Sequence, residues 1–370
     1  MELKQKLSFG LMRLPLKNKL IQTAVDHAAF CEMADAFLAA GYRHFDTSIV
    51  YHGGASETAF RDCVAKRHPR DSFTITDKMP MFLIKHKSML EPTFKKELAR
   101  CGVEYFDYYW LHSLNVKSYE TCEKVGAFEW LEEKKREGRV LHTGFSFHDS
   151  AEVLDRILTK HPEVEYVQLQ INYLDWEDEK VQSHLCYETA RRHGKRIMIM
   201  EPIKGGALAD VPETVRLMLE KADPSLSPAV WALRFAASLE GVDFVLSGMS
   251  TQSQLEENTA AFEKMAPLTQ EQTALLLRAA EVIRSGIEIP CTACRYCVDA
   301  CPMELAIPDY FSAFNAYQGN KKKAAEDFET HAADHGRPGD CIACRACESH
   351  CPQNLPIADL MVRVKERFEG

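Results

Sequence analysis

Short apolar runs rich in β-branched and aromatic residues recur along the first 265 positions: RHFDTS (43–48), FTITDKM (73–79), YFDYYWLH (105–112), LHTGFSF (141–147), YVQLQIN (166–172), RIMIMEP (196–202) and VDFVLSG (242–248). With FGLMRL near residue 10 they make eight, and each has the length and composition of a buried strand. Between them lie stretches with polar positions at helical spacing, such as SETAFRDCVAKR (56–67), FEWLEEKKREG (128–138) and SQLEENTAAFEKM (253–265). Strand and helix alternating eight times predict a (β/α)8 barrel, the TIM-barrel architecture. A doubly wound open sheet is the runner-up, but the first turn has no G-x-G-x-x-G.

The rhythm then changes. Residues 269–285, TQEQTALLLRAAEVIRS, predict one more amphipathic helix, roughly 25 Å long at helical rise. Beyond it the strand pattern stops, and the phrase CTACRYCVDACP (291–302) is written again as CIACRACESHCP (341–352). The reading is a barrel over 1–268, a connecting helix over 269–286 and a small α-rich domain over 287–370, whose insertion (303–340) has room for two helices.

Composition narrows the partners. The 370 residues are 46% hydrophobic and carry a formal net charge of −9, enough for a large core and contrary to a general affinity for nucleic acid or anionic membrane. The start, MELKQKLSFGLMRLPLKNK, has no signal-like apolar run, and no uninterrupted apolar segment reaches membrane length. The expectation is a cytoplasmic protein acting on small molecules or other proteins.

Thirteen cysteines in such a chain call for a reason other than structural disulfides. Five of them, Cys31, Cys63, Cys101, Cys122 and Cys186, are scattered and are expected to serve as small buried hydrophobes. The other eight follow C-x2-C-x2-C-x3-C-P twice, a spacing that suits [4Fe-4S] clusters because three thiolates on a tight loop take three corners of a cube while the fourth points elsewhere. A pair of zinc sites is the competitor, though zinc modules space their CxxC pairs more widely. The segment resembles a bacterial two-cluster ferredoxin. That resemblance implies crossed ligation, one cluster on Cys291, Cys294, Cys297 and Cys351 and the other on Cys341, Cys344, Cys347 and Cys301.

In a barrel, catalytic groups belong at the C-terminal ends of strands. Asp46 closes the second predicted strand, Lys78 the third and His112 the fourth, with Tyr51 on the loop after Asp46. Each alone reads as easily as a cap, a packing ring or a structural histidine. Together, in FDTSIVYHGGASE, TDKM and YYWLHS, they resemble the catalytic tetrad of the aldo-keto reductases. GFSFH, VQLQIN, EPIKGGAL and SGMSTQSQLEEN extend the likeness over residues 3–265, and with its tail the chain resembles the iron-sulfur branch of that family.

The resemblance implies reduction of a small-molecule aldehyde or ketone with NADP or NAD. Tyr51 would be the proton donor, Lys78 the cation that eases loss of its proton, Asp46 the partner of Lys78, and His112 the group that orients the carbonyl oxygen. It places the nicotinamide on Gln168, Ser146 and Asn172, and the pyrophosphate on Gly205 and Gly206. The adenosine end falls on Ser250, Gln254, Glu257 and Asn258, and Gly10, Met12, Met200 and Pro202 complete the set. Gln254 stands where many relatives have a base for the 2′-phosphate, and Met200 where many have a stacking ring. Met12, Met81, Phe82, Trp110 and Trp176 are candidates for an apolar substrate wall.

Three readings compete: an oxidoreductase whose clusters exchange electrons with an external redox protein, a simple carbonyl reductase with structural clusters, and a redox-sensing protein with a vestigial barrel. Hydride carries two electrons and each cluster one. Two clusters acting together, or a barrel-bound flavin, would reconcile the counts.

Overall fold

The computed structural model describes residues 3–18, 21–317 and 321–370. Eight parallel strands close a barrel in chain order: β1 Leu7–Gly10, β2 His44–Asp46, β3 Thr74–Met79, β4 Phe106–Leu114, β5 Val140–Phe147, β6 Tyr166–Gln170, β7 Arg196–Met200 and β8 Val242–Ser247. β8 pairs with β1 through Phe9 and Ser247, so among these strands there is no open edge, and the open-sheet alternative is set aside.

The barrel is a packed core. Trp110, Tyr166, Met198, Phe244 and Leu246 fill its interior. Gly144 belongs to this packing, because a Cβ there would lie 2.5 Å from the Trp110 ring and 2.6 Å from the Tyr166 carbonyl oxygen. Two proposed wall residues are therefore reassigned. Trp110 is wholly buried inside the barrel, and Trp176 is stacked on His184 at 4.5 Å and set edge-on to Phe235.

Helices return the chain between strands. Side-chain caps start several of them: Asp26 before His27–Ala39, Asn115 before Val116–Val125, Ser150 before Ala151–Lys160 and Thr251 before Gln252–Glu263. The single helix expected over 56–67 is instead a short α-helix, Ala55–Phe60, that widens into a π-type turn at Arg61–Ala65. That turn packs beside His27–Ala39, and there Cys31 and Cys63 form a disulfide. Their expected role as inert hydrophobes is corrected, since helix packing unites two thiols 32 residues apart. Cys101, Cys122 and Cys186 are buried and free, as expected of small hydrophobes.

Contacts divide the chain into two compact units, Met1–Pro202 with Val230–Gln270, and Ile203–Ala229 with Glu271–Gly370. The second contains all but the first residue of the 17-residue helix Gln270–Gly286, and the two helices anticipated in the insertion, Ile307–Ala316 and Lys321–Ala332. Helix Ile357–Phe368 closes the chain. In the core of this unit Tyr310, Phe311, Phe314, Phe328, Met361 and Val364 pack with Cys297 and Cys347. Glu288 binds Arg363 at 2.7 Å and Arg367 at 2.8 Å, tying the entry of the unit to its last helix.

Candidate active site and cysteine sites

Parallel strands in register bring side chains from distant positions to one rim. Gly10 pairs with Asp46, Asp46 with Thr76, Lys78 with Trp110 and Ser146 with Gln168, so the strand-end residues of the first unit share the C-terminal mouth of the barrel. Within it Lys78 Nζ donates to Asp46 Oδ1 at 2.7 Å and to the Thr47 carbonyl at 2.7 Å. Both side chains are fully shielded, so each charge depends on the other. Burial pushes the Asp46 carboxyl up, and Lys78 opposes that shift. The same ammonium lies 5.0 Å from the centre of the Tyr51 ring, and the His112 ring stands edge-on to Tyr51 at 6.1 Å.

His112 is held well below its ordinary value by burial, with Lys78 and His148 adding to it, so its imidazole is neutral. Its Nδ1 lies 3.2 Å from Ser48 Oγ. If the serine hydroxyl donates there, the histidine proton sits on Nε2. Tyr51 owes its position to a tight turn in which His52, Gly53 and Gly54 have φ of 52°, 58° and 89°, a left-handed run that glycine makes accessible. His52 locks this turn, accepting from Leu14 N at 3.1 Å through Nε2 and pairing with the Gln22 carbonyl at 2.8 Å through Nδ1. Ser48, Thr47 and His52 were not singled out by sequence reasoning, although the FDTSIVYHGG stretch contains them all.

Behind Lys78 the barrel wall hides an acidic cluster. Asp77 and Glu57 approach each other and the Cys101 thiol, and Arg100 holds the second oxygen of Glu57. Burial pushes Glu57 up to about 9 and Asp77 up to about 6. The Cys101 thiol donates to Asp77 at 3.3 Å.

The proposed coenzyme residues fare unequally. Gln168 is buried with its Oε1 lacking a hydrogen-bond partner among the described residues, which suits a ligand amide. Ser146 Oγ accepts from Ser113 N at 2.7 Å, leaving its own proton to donate. Asn172 is fully engaged within the fold: Nδ2 donates to Asp175 and to the Glu201 carbonyl, and Oδ1 accepts from Asp175 N. Asn258 likewise donates to Ser247 at 3.0 Å. Gln254 Oε1 accepts from Ser250 N at 2.8 Å, and Glu257 is exposed. Gly10 ends β1, Met200 ends β7, Met12 is half-buried and Pro202 buried. Gly205 and Gly206 fall in the second unit. Of the wall candidates, the Phe82 ring is 5.7 Å from His112 while its side chain is half exposed, and Met81 is buried. Arg13, not anticipated, accepts from Ser250 Oγ through its carbonyl at 2.7 Å and reaches Glu201 with its guanidinium at 3.4 Å.

The eight phrase cysteines line two separate pockets, four in each. Cys291, Cys294, Cys297 and Cys351 face the first, and Cys341, Cys344, Cys347 and Cys301 face the second. The halves repeat residue by residue at an interval of fifty. Positive φ recurs at Ala293 and Ala343, Arg295 and Arg345, and Glu304 and Asn354. Arg295 binds Asp309 as Arg345 binds Asp359. Burial pushes the Cys291 and Cys347 thiols up to about 11. Four closely set thiolates without a cation would be costly there, which is the environment that iron relieves.

The aldo/keto reductase family model matches residues 6–281, and a 4Fe-4S dicluster domain matches residues 290–355. The chain belongs to the aldo/keto reductase family. Among solved structures, aldo-keto reductase AKR11C1 from Bacillus halodurans in its holo form is 21% identical with a TM-score of 0.60, covering 74% of this chain and 91% of that one. An aldo/keto reductase from Klebsiella pneumoniae in complex with NADP and acetate is 16% identical with a TM-score of 0.58, over 74% and 90%. The thermostable aldo-keto reductase Tm1743 is 19% identical with a TM-score of 0.59, over 74% and 94%. No curated protein matches. Among the described residues no helix is long and apolar enough to cross a membrane.

Proposed function

We propose that this aldo/keto reductase reduces a small aldehyde or ketone at the barrel mouth with NADP as coenzyme, and that two [4Fe-4S] clusters on the eight phrase cysteines connect it to one-electron chemistry. The observation that carries the reading is the Lys78 ammonium, bound to buried Asp46 and poised over Tyr51 beside a neutral His112. Reduced nicotinamide supplies the hydride. Tyr51 gives its proton to the carbonyl oxygen, and the nearby positive charge of Lys78 favours the phenolate that remains. His112 donates from Nε2 to the same oxygen, fixing its direction and easing the charge that develops on it. Gln168 Oε1 receives the carboxamide of the coenzyme. Arg13 is the cation at the Ser250 corner, where Gln254 offers none, and this supports NADP over NAD.

Two clusters, each holding one electron, together match the two electrons of a hydride. Anaerobic purification with an absorption spectrum and extraction of bound coenzyme tests the cofactor set, a flavin included. Tyr51→Phe tests the proton donor: carbonyl reduction falls by about a hundred- to ten-thousandfold, while NADPH affinity stays within a few-fold. Retained turnover would remove Tyr51 from the reaction.

A further inference from the structure

The fifty-residue repeat gives each cysteine site a built-in control, because equivalent positions share backbone conformation and differ in what surrounds them. Thr292 is 3% exposed, whereas its twin Ile342 is 61% exposed. Cys294 is half-buried and Cys344 exposed. Arg295 is half-buried on Asp309, while Arg345 is exposed and held by both Glu348 and Asp359. One loop is shielded, and the other presents an isoleucine and a ligand sulfur side by side.

The exposed rim has a charge. Glu348 and Asp359 outnumber Arg345, and exposed Asp340 precedes Cys341. The nearest further cation along the chain, Arg337, has its guanidinium bound to Glu329 and Glu369. A cluster held by four thiolates adds negative charge of its own. An apolar tip inside an acidic rim, directly over a redox site, matches a protein that carries a basic rim around an accessible redox centre.

We propose that the face bearing Ile342 and Cys344 docks a basic one-electron carrier protein, and that electrons enter or leave through the site of Cys341, Cys344, Cys347 and Cys301. This inference rests on the cluster reading above. In each exchange one electron passes between the cluster and the oxidised or reduced centre of the carrier, and no atom is transferred.

Anaerobic stopped-flow mixing of the dithionite-reduced full-length protein tests this, with ferric cytochrome c, a basic haem protein, as probe. Each reduced cluster gives up one electron and one ferric haem becomes ferrous. The rate should fall steeply as salt rises. Ile342→Lys should slow it by about tenfold and speed oxidation by the small anion ferricyanide. Leu185→Lys, at a 56% exposed position in the barrel unit, should change neither rate. Iron content is measured for every variant. If the lysine depletes iron, Ile342→Ser replaces it, with a few-fold slowing expected. Full iron with an unchanged cytochrome c rate, or a rate insensitive to salt, overturns the docking surface alone. A wild-type chain that holds no iron after reconstitution overturns the cluster reading and the docking surface together.

Discussion

The barrel mouth and the cysteine sites bury ionisable groups in opposite ways. At the mouth the buried charge has its partner within the same unit, Asp46 with Lys78, and behind it Glu57 has Arg100. The cysteine sites hold four thiols each, and the arginine lining each cavity is already bound to carboxylates. The first arrangement is electrically complete before any coenzyme arrives. The second would have its thiolate charge balanced by bound iron. On the proposed function, one region would use its cofactor for chemistry alone, and the other would use it for folding as well.

Removing iron should expose this difference most strongly. After anaerobic chelation, hydrogen exchange is expected to show residues 287–370 losing protection while the barrel strands keep theirs. A tail that stays protected without iron would erase the contrast. Within the tail, Cys351→Ser should remove the electron paramagnetic resonance signal of the site that also uses Cys291, Cys294 and Cys297, fifty and more residues upstream.

At the mouth, Lys78→Met removes one charge of a matched buried pair. We expect carbonyl reduction to fall by about a hundredfold or more, and unfolding in urea to show a loss of about 3–5 kcal/mol because Asp46 is left buried without its cation. Full stability in this variant would mean that Asp46 is neutral there. Gly144→Ala probes packing in place of charge. The methyl group would meet Trp110 and the Tyr166 carbonyl, and a loss of about 1–3 kcal/mol is expected in the same assay.

A further effect concerns pH. Glu57 is raised from its ordinary 4.5 to about 9, chiefly by burial, so the folded protein keeps a proton that the unfolded chain releases. The stability this contributes is whole below pH 4.5 and drains away as pH climbs toward 9. Melting temperature should therefore decline across that window, and Glu57→Gln should flatten the decline. An unchanged slope would mean that Glu57 does not hold that proton in the folded protein.

Much of this was legible in one dimension. Strand positions followed from β-branched and aromatic runs, and seven of the eight fall where the alternation put them, because a buried parallel strand must be apolar on both faces whatever surrounds it. The first lies earlier than FGLMRL, at Leu7–Gly10, and Leu11–Arg13 forms a short 3-10 helix instead. That Asp46, Lys78 and His112 meet at one rim was legible for a related reason: a strand end of a parallel barrel always faces the mouth. The cysteine spacing carries the shape of its own loop, since C-x2-C-x2-C closes locally, with left-handed residues at the same steps in both copies.

What only the tertiary structure decided depends on which surfaces meet. Nothing along the chain distinguishes Cys31 and Cys63 from the other scattered cysteines until a helix lies against a π-type turn. Trp110 alternates with its neighbours as a wall residue would, yet the space left by Gly144 admits it to the barrel interior. Asn172 matched a coenzyme position by sequence, but Asp175 and the Glu201 carbonyl already use its amide. Thr292 and Ile342 hold the same place in one repeated phrase, and packing alone buries one and exposes the other. Backbone geometry is dictated over a few residues and travels with the sequence. Burial is set by elements tens of residues away, and it determines which of two like sites can meet a partner.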